Sequence, residues 1–210
     1  MPQCTCCQGV GTIAPASPLG LPMKCYRCAG TGEIEWEDLR PGDHVCYLYD
    51  DPAEQLRNIT KFLAAGLPQG ERILYVYEHH TPAQLDAALA EHGVDVAKER
   101  ARGAILYFSK NETYLAGGTF EPQSVIDRWR DILKRSLAEG YTGIRGAGEA
   151  TWALDSHAHC RELINYELMC DLFFLAEQPR ITGICQYDRK RFPGAIIQGA
   201  ELAHRLVFHD

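Results

Sequence analysis

The stretch His44-Val45-Cys46-Tyr47-Leu48-Tyr49 decides the fold, because its apolar and aromatic side chains predict a buried β-strand. The residues that follow, 52–65, place Leu56, Ile59 and Phe62 at helical spacing. Pro52 suits the first turn of such a helix. A strand followed by an amphipathic helix is the repeating unit of an α/β domain.

The same alternation continues along the chain. Further strands are predicted at residues 72–78, 104–108, 142–146, 181–187 and 206–208. Further helices are predicted at residues 81–93, 122–139 and 158–176. Strands that alternate with helices predict a mainly parallel sheet with helices on both faces. We therefore expect one α/β domain that spans residues 40–210.

Composition excludes several classes of protein. The 210 residues are 46% hydrophobic, which is enough for one substantial core. The net charge of −7 argues against nucleic-acid binding, which needs clustered Lys and Arg. No stretch reaches the roughly 18 apolar residues of a membrane span, and the first residues lack a secretion signal. We expect a cytoplasmic protein that contacts neither DNA nor membranes directly.

Residues 1–36 form a second predicted unit. They are rich in Cys, Gly and Pro, and they cannot bury enough apolar area to fold unaided. The pattern CxxCxGxG occurs in them twice. Two residues between thiols let both sulfur atoms bind one ion, and the glycines allow the tight turn. The residues predicted to bind a single zinc ion are Cys4, Cys7, Cys25 and Cys28.

The two CxxCxGxG patterns, over residues 4–32, resemble the cysteine-rich zinc modules of DnaJ-type chaperones. The resemblance implies a pair of zinc knuckles but no chaperone function, since the chain lacks a J domain. Three roles stay open for this module. It could be a staple for folding, a surface that docks a partner, or a dithiol redox site in which Cys6 offers a competing thiol.

The remaining sequence contains four spaced segments: GDHVCYLY at 42–49, GERILYV at 70–76, GEATWAL at 148–154 and CQYDRKRF at 185–192. Through them the chain resembles the MEDS family, sensory domains of methanogens, methylotrophs and the DcmR regulator. The resemblance implies a fold similar to the RecA and KaiC ATPases and a role in sensing small organic molecules.

Regulators of the MEDS family often carry a helix-turn-helix or a histidine kinase region, and this chain has room for neither. A signalling or transcription partner protein is therefore expected, and a homo-oligomer stays open.

The segment after the first strand differs from a phosphate-binding loop. A RecA-like ATPase places GxxxxGK and a Ser or Thr there, to bind phosphates through backbone N–H groups and the lysine. Here the sequence is Tyr49-Asp50-Asp51-Pro52-Ala53-Glu54-Gln55, with three carboxylates and no lysine. We expect no ATP hydrolysis of the Walker type. The carboxylates either cap the next helix or bind a cation.

A ligand site is predicted at the carboxyl ends of the strands, near the point where the strand order reverses. A RecA-like order would bring the strands that end near Tyr49, Glu149 and Tyr187 side by side. The crevice would combine aromatic walls with polar anchors. Its predicted residues are Tyr49, Asp50, Glu149, Trp152, Tyr187 and Arg189. Glu149 either contacts the ligand or pairs with Arg145 or Arg189.

A further site is suggested by His44 and Cys46 on one face of the first strand and Cys185 on a predicted neighbour. These residues either contact a ligand or metal ion, or pack as ordinary core side chains. If they act chemically, the protein is a thiol- or metal-dependent enzyme, which is the alternative function. No GxSxG nucleophile elbow indicates a hydrolase. The preferred function is a sensor of a small, partly apolar organic ligand.

Overall fold

The computed structural model describes residues 3–4, 6–14, 22–25, 27–28, 30–177 and 180–210. Thr5, Tyr26 and Ala29 of the two CxxCxGxG patterns lie outside the described residues. In the N-terminal unit, strands β1 (Thr12–Ile13) and β2 (Met23–Lys24) pair in antiparallel fashion. This short ribbon joins the two cysteine knuckles.

Six further strands form one sheet. They are β3 (His44–Tyr49), β4 (Arg72–Tyr77), β5 (Ile105–Ser109), β6 (Ile144–Glu149), β7 (Ile181–Asp188) and β8 (Leu206–His209). The order across the sheet is β5-β4-β6-β7-β3-β8, and each neighbouring pair of these described strands is parallel. The predicted parallel α/β sheet is thus confirmed, and β6, β7 and β3 lie side by side as the RecA-like order implies.

Helices cover both faces of this sheet, as predicted. They are α1 (Pro52–Ala64), α2 (Pro82–Glu91), α3 (Val96–Ala101), α4 (Pro122–Ala138), α5 (His157–Ala176) and α6 (Gly194–Ala203). The core of one face includes side chains of α1 and α2, and we call it the α1 face. The other core includes side chains of α4, α5 and α6, and we call it the α5 face.

Local sequence explains where several helices begin. Proline occupies the first turn of α1, α2 and α4. Backbone N–H groups in the first turn have no partner within the helix, so proline, which lacks an N–H, removes no helical hydrogen bond there. Asp51 caps α1, because its carboxylate accepts a hydrogen bond of 2.8 Å from the backbone N–H of Ala53. Ser156 caps α5 in the same way through Ala158. The capping interpretation of the acidic segment is therefore confirmed for Asp51.

Some elements differ from the sequence predictions. Helices α3 and α6 were not predicted, and β6 runs on to Glu149 instead of ending at Gly146. Glycine usually weakens a strand, but Gly146 and Gly148 pair with Leu74 and Val76 in the interior of this sheet. In the described part of the chain, no helix has both the length and the apolar character needed to cross a membrane.

The N-terminal unit packs directly on the sheet. The ring of Trp36 contacts Tyr47 and Phe208 edge-on, with ring centroids 4.7 and 4.6 Å apart. Arg27 forms an ion pair with Asp43 and donates to the carbonyl of Asp38 over 3.0 Å. The cysteine knuckles therefore lie against the α1 face and share its apolar core.

Candidate ligand and metal sites

The four predicted cysteines converge. Their four Sγ atoms, from Cys4, Cys7, Cys25 and Cys28, all lie within 4.8 Å of one another. The Sγ atoms of Cys4 and Cys25 are 3.7 Å apart, and those of Cys7 and Cys28 are 3.6 Å apart. Four thiolates around an ion at about 2.3 Å form a tetrahedron with edges of about 3.8 Å. The cluster can therefore hold a metal ion.

The same backbone hydrogen bond to sulfur occurs in both cysteine knuckles. The N–H groups of Gly11 and Gly32 each donate to a sulfur atom, of Cys7 and Cys28 respectively, over 3.2 Å. Gly11 and Gly32 have φ angles of +79° and +86°. A Cβ at Gly11 would lie 2.3 Å from the carbonyl oxygen of Gly30, so only glycine fits. The glycines of the pattern orient the sulfur ligands, as outer-shell groups do at metal sites.

The start of α1, where a phosphate loop would lie, is occupied by the protein's own carboxylate. The side chain of Asp210 accepts hydrogen bonds from the backbone N–H groups of Asp50 and Asp51 over 2.8 and 3.2 Å. It also accepts from the hydroxyl of Tyr47. Asp50 in turn pairs with Arg189. The donors that a phosphate would need at this helix terminus already have an anionic partner.

Glu149 lies buried at the end of β6 and is held by an internal network. It accepts hydrogen bonds from the Tyr75 hydroxyl over 3.0 Å and from the backbone N–H of His79 over 2.8 Å. The predicted alternative, an ion pair with Arg145 or Arg189, is wrong. Arg145 pairs with Glu71, and Arg189 pairs with Asp50.

The residues of the predicted crevice lie in different surroundings. Tyr49 is buried on the α1 face, whereas Trp152 and Tyr187 are buried on the α5 face. The Trp152 ring stacks on Tyr114, with centroids 4.6 Å apart and an interplanar angle of 17°. Asp50 and Arg189 are partly exposed at the edge of the sheet. The structure therefore pairs Asp50 with Arg189, and it places Trp152 and Tyr187 in the core of the α5 face.

His44 and Cys185 come together on the α5 face. His44 Nε2 lies 3.6 Å from Cys185 Sγ, and His44 also packs against the ring of Phe174 with centroids 4.8 Å apart. Cys46 of β3 lies opposite Cys185 of β7 in the register of the two parallel strands. It is fully buried in the same core. The three residues that the sequence placed on neighbouring strands are thus neighbours in space.

Burial keeps this His–Cys pair uncharged. It lowers the pKa of His44 to about 3, and it raises the pKa of the Cys185 thiol well above its ordinary value, with a further increase from Glu167. Both effects favour the neutral imidazole and the neutral thiol. A cysteine nucleophile needs the opposite arrangement, a thiolate beside an imidazolium.

A cavity of about 60 Å³ lies between the sheet and helices α4 and α5. Its wall is mostly apolar and includes the rings of Tyr114, Trp129 and Tyr166, and His44 and Cys185 reach it from the sheet. Gly146, Gly148 and Gly183 line the strand side, where they contribute no side chain. A cavity of this size exceeds the roughly 15 Å³ that one water molecule needs on the same measure.

Sequence reasoning missed three residues near these sites. Asp210 carries no local signal of its role. Glu167 carries a local signal, because it lies four residues after Leu163 and so places a carboxylate on the apolar stripe of α5. His204 follows α6, a helix that was not predicted. A cluster of His44, Glu167, Cys185 and His204 was therefore not foreseen.

Comparisons with known proteins agree with this architecture. Residues 43–205 match a family described as MEDS, the methanogen/methylotroph, DcmR sensory domain. The chain is 24% identical over 195 residues to the transcriptional repressor DcmR of Methylorubrum extorquens (strain DSM 6343 / CIP 106787 / DM4). That alignment covers 92% of this chain and 69% of the repressor.

Two solved protein structures have a similar fold. The flagellar accessory protein FlaH of Methanocaldococcus jannaschii has a TM-score of 0.55 at 12% identity, covering 81% of this chain and 72% of its own. A KaiC-like protein of Pyrococcus horikoshii OT3 has a TM-score of 0.53 at 18% identity, covering 80% of this chain and 72% of its own. The shared feature is the RecA/KaiC-like fold.

Proposed function

Because this chain belongs to the MEDS family of sensory domains, we propose that it is a sensory and regulatory protein whose α/β domain binds a small, partly apolar organic ligand. The similar repressor from Methylorubrum extorquens is a regulator of transcription by name, which supports a regulatory role. Output through a signalling or transcription partner, or through a second copy of the chain, is part of this proposal.

The observation that carries the proposal is the cavity on the α5 face. Small-molecule sites combine apolar and aromatic walls with a few polar groups that fix orientation. The cavity has aromatic walls in Tyr114, Trp129 and Tyr166, and it has nitrogen and sulfur atoms nearby in His44 and Cys185. Its volume of about 60 Å³ suits a compact organic molecule of a few heavy atoms.

The carboxyl edge of the sheet is a second location for the ligand. A molecule there would compete with the Asp50–Arg189 pair and with the hydrogen bonds that hold Glu149. Leaving the buried Glu149 carboxylate unpaired would cost about 1–3 kcal/mol, whereas the partly exposed Asp50–Arg189 pair would cost less. The apolar cavity requires no such exchange, and we therefore place the ligand there, with His44 and Cys185 as its polar contacts.

For the N-terminal cluster we propose zinc as the ion. Four cysteines in two CxxC knuckles, with sulfur atoms 3.6 and 3.7 Å apart in pairs, suit tetrahedral Zn²⁺. A site closed by four thiolates leaves no open position for a substrate, so the ion would stabilise the knuckles. The packing of Trp36 on Tyr47 and Phe208 would transmit that stability to the sheet.

The test is whether the cavity binds small apolar molecules. Xenon is the probe, because it enters dry apolar cavities of proteins. We expect crystals of the full chain under xenon pressure to show an anomalous peak between β6 and helices α4 and α5. Native mass spectrometry of protein from its natural host should show a retained small molecule.

A variant that fills the cavity makes this test specific. A Cβ at Gly146 would lie 3.8 Å from atoms of Leu74, an ordinary contact, so Gly146→Val extends into the cavity without a backbone clash. We expect Gly146→Val to lose xenon and the natural ligand. Gly117→Val is the matched control, since no atom lies within 4 Å of a Cβ there. Equal binding by both variants would contradict the proposed site.

A further inference from the structure

Four side chains of the types that can ligate metals converge between the sheet and α5, outside the cysteine cluster. His44 comes from β3, Cys185 from β7, Glu167 from α5 and His204 from the end of α6. One ligand atom of each lies within 4.8 Å of the other three. His44 and Glu167 are each 1% exposed, so bulk water does not solvate these polar atoms. We call these residues the His–Glu–Cys cluster.

The distances within this cluster suit coordination of one ion. Glu167 Oε2 lies 3.4 Å from His44 Nε2 and 3.5 Å from His204 Nε2. His44 Nε2 lies 3.6 Å from Cys185 Sγ. Nitrogen, oxygen and sulfur ligands at 2.0–2.3 Å from a tetrahedral ion are separated by about 3.3–3.8 Å. The three measured separations fall in that interval.

Hydrogen bonds fix the orientation of two of these ligands. His204 Nδ1 lies 2.7 Å from the carbonyl oxygen of Ala200, and because a carbonyl only accepts, Nδ1 carries the proton. When the ring is neutral, this tautomer presents the lone pair of Nε2 to Glu167. The other oxygen of Glu167, Oε1, accepts from the Tyr187 hydroxyl. Such outer partners orient histidine and carboxylate ligands at metal sites.

Two acceptor atoms are left facing each other. Glu167 Oε2 and His204 Nε2 are both buried, and neither has a hydrogen-bond partner among the described residues. Two buried lone pairs 3.5 Å apart repel unless a cation or a proton lies between them. A proton would need only these two atoms. The approach of His44 and Cys185 to the same point indicates a ligand that takes four donors.

We propose that the His–Glu–Cys cluster binds a divalent transition-metal ion through His44, Glu167, Cys185 and His204. Two imidazoles, one carboxylate and one thiol are a donor set suited to zinc and to its late first-row neighbours. On binding, the Cys185 thiol releases its proton to solvent. The two anionic ligands then balance the charge of the ion, which a buried site requires.

The metal site goes beyond ligand sensing, although the two sites adjoin. His44 and Cys185 belong both to the His–Glu–Cys cluster and to the cavity wall. An ion held there would lie at one end of the cavity, where it would replace His44 and Cys185 as the polar contact of the organic ligand. The metal site is tested with Zn²⁺ alone, without any organic molecule. If no ion binds, the metal site is wrong, and the xenon experiment still decides whether the cavity binds a ligand.

The experiment counts zinc in the full chain. The protein is stripped with a chelator, loaded with Zn²⁺, desalted and analysed by inductively coupled plasma mass spectrometry. We expect two ions per chain, one in each cluster. Glu167→Gln should bind one, because the amide keeps an acceptor for Tyr187 but carries no charge. Glu162→Gln is the matched control, since Glu162 is an exposed residue of the same helix.

Two further measurements keep the result decisive. Far-UV circular dichroism of the metal-free proteins checks that Glu167→Gln folds as the control does. A zinc-edge anomalous map of wild-type crystals should show a peak about 2.0–2.3 Å from the four donor atoms. Zinc at the cysteines alone, or an unchanged count in Glu167→Gln, would overturn the second metal site.

Discussion

The ring of Phe174 on α5 occupies the space directly above Gly183 on β7. A Cβ at Gly183 would lie 2.3 Å from Cζ of that ring. The same relation recurs one strand away, where a Cβ at Gly148 would lie 2.1 Å from the hydroxyl oxygen of Tyr114. Glycines in the central strands therefore let aromatic side chains approach the sheet beside the cavity.

Gly183→Ala should destabilise the protein. The added methyl group collides with Phe174, and overpacking of this kind costs about 1–3 kcal/mol in the free energy of unfolding. Chemical denaturation measures that change. Gly194→Ala is the control, because no atom lies within 4 Å of a Cβ there and the residue opens helix α6. Equal stability of the two variants would contradict the packing argument.

Removing Glu71 should be more damaging. Its carboxylate pairs with Arg145 Nε at 2.5 Å, and Arg145 is fully buried. Glu71→Ala removes the anionic partner and leaves the guanidinium bonded to the carbonyls of Phe62 and Leu39, and breaking a buried pair in this way costs about 3–5 kcal/mol in the free energy of unfolding. Glu37→Ala breaks a half-exposed pair with Lys61 and should cost at most about 1 kcal/mol. Denaturant titrations of both variants compare the two losses, and similar losses would argue against the buried pair.

Gly11→Ala should weaken metal binding by the cysteine cluster. The φ angle of +79° and the approach of the Gly30 carbonyl leave no space for a side chain, and the Gly11 N–H donates to Cys7 Sγ. Loss of such outer contacts typically lowers metal affinity about 10–100-fold. Competition with a zinc chelator measures the affinity. Val10→Ala, at an exposed neighbouring position, should leave it unchanged.

The cysteines themselves can be separated by substitution. Cys7→Ser should lose the ion of the cysteine cluster, because Cys7 Sγ is one of its four converging sulfur atoms. Cys6→Ser should keep it, since Cys6 is exposed and is not among those four. Zinc content per chain distinguishes the two variants. Loss of zinc in Cys6→Ser would show that Cys6 takes part in coordination.

Much of the fold was predictable because it follows local patterns. The strand His44–Tyr49 was predicted at its observed bounds, and the predicted start of α1 at Pro52 is correct. Strand β6 was predicted to end at Gly146 but runs to Glu149, because Gly148 resembles a strand breaker in the sequence, whereas in the fold the Tyr114 hydroxyl lies where its Cβ would be. Helix α6 was missed, and His204, which ends it, was missed with it.

The sequence by itself determined the alternation of strands and helices and the two cysteine knuckles, because each depends on residues that are close along the chain. Only the tertiary structure decided that Glu167 and His204 meet His44 and Cys185, and that a cavity remains beside them. Those contacts depend on crossover connections that bring distant segments together, and on the exact distance between α5 and the sheet. No pattern of neighbouring residues encodes the crossover connections or the distance between α5 and the sheet.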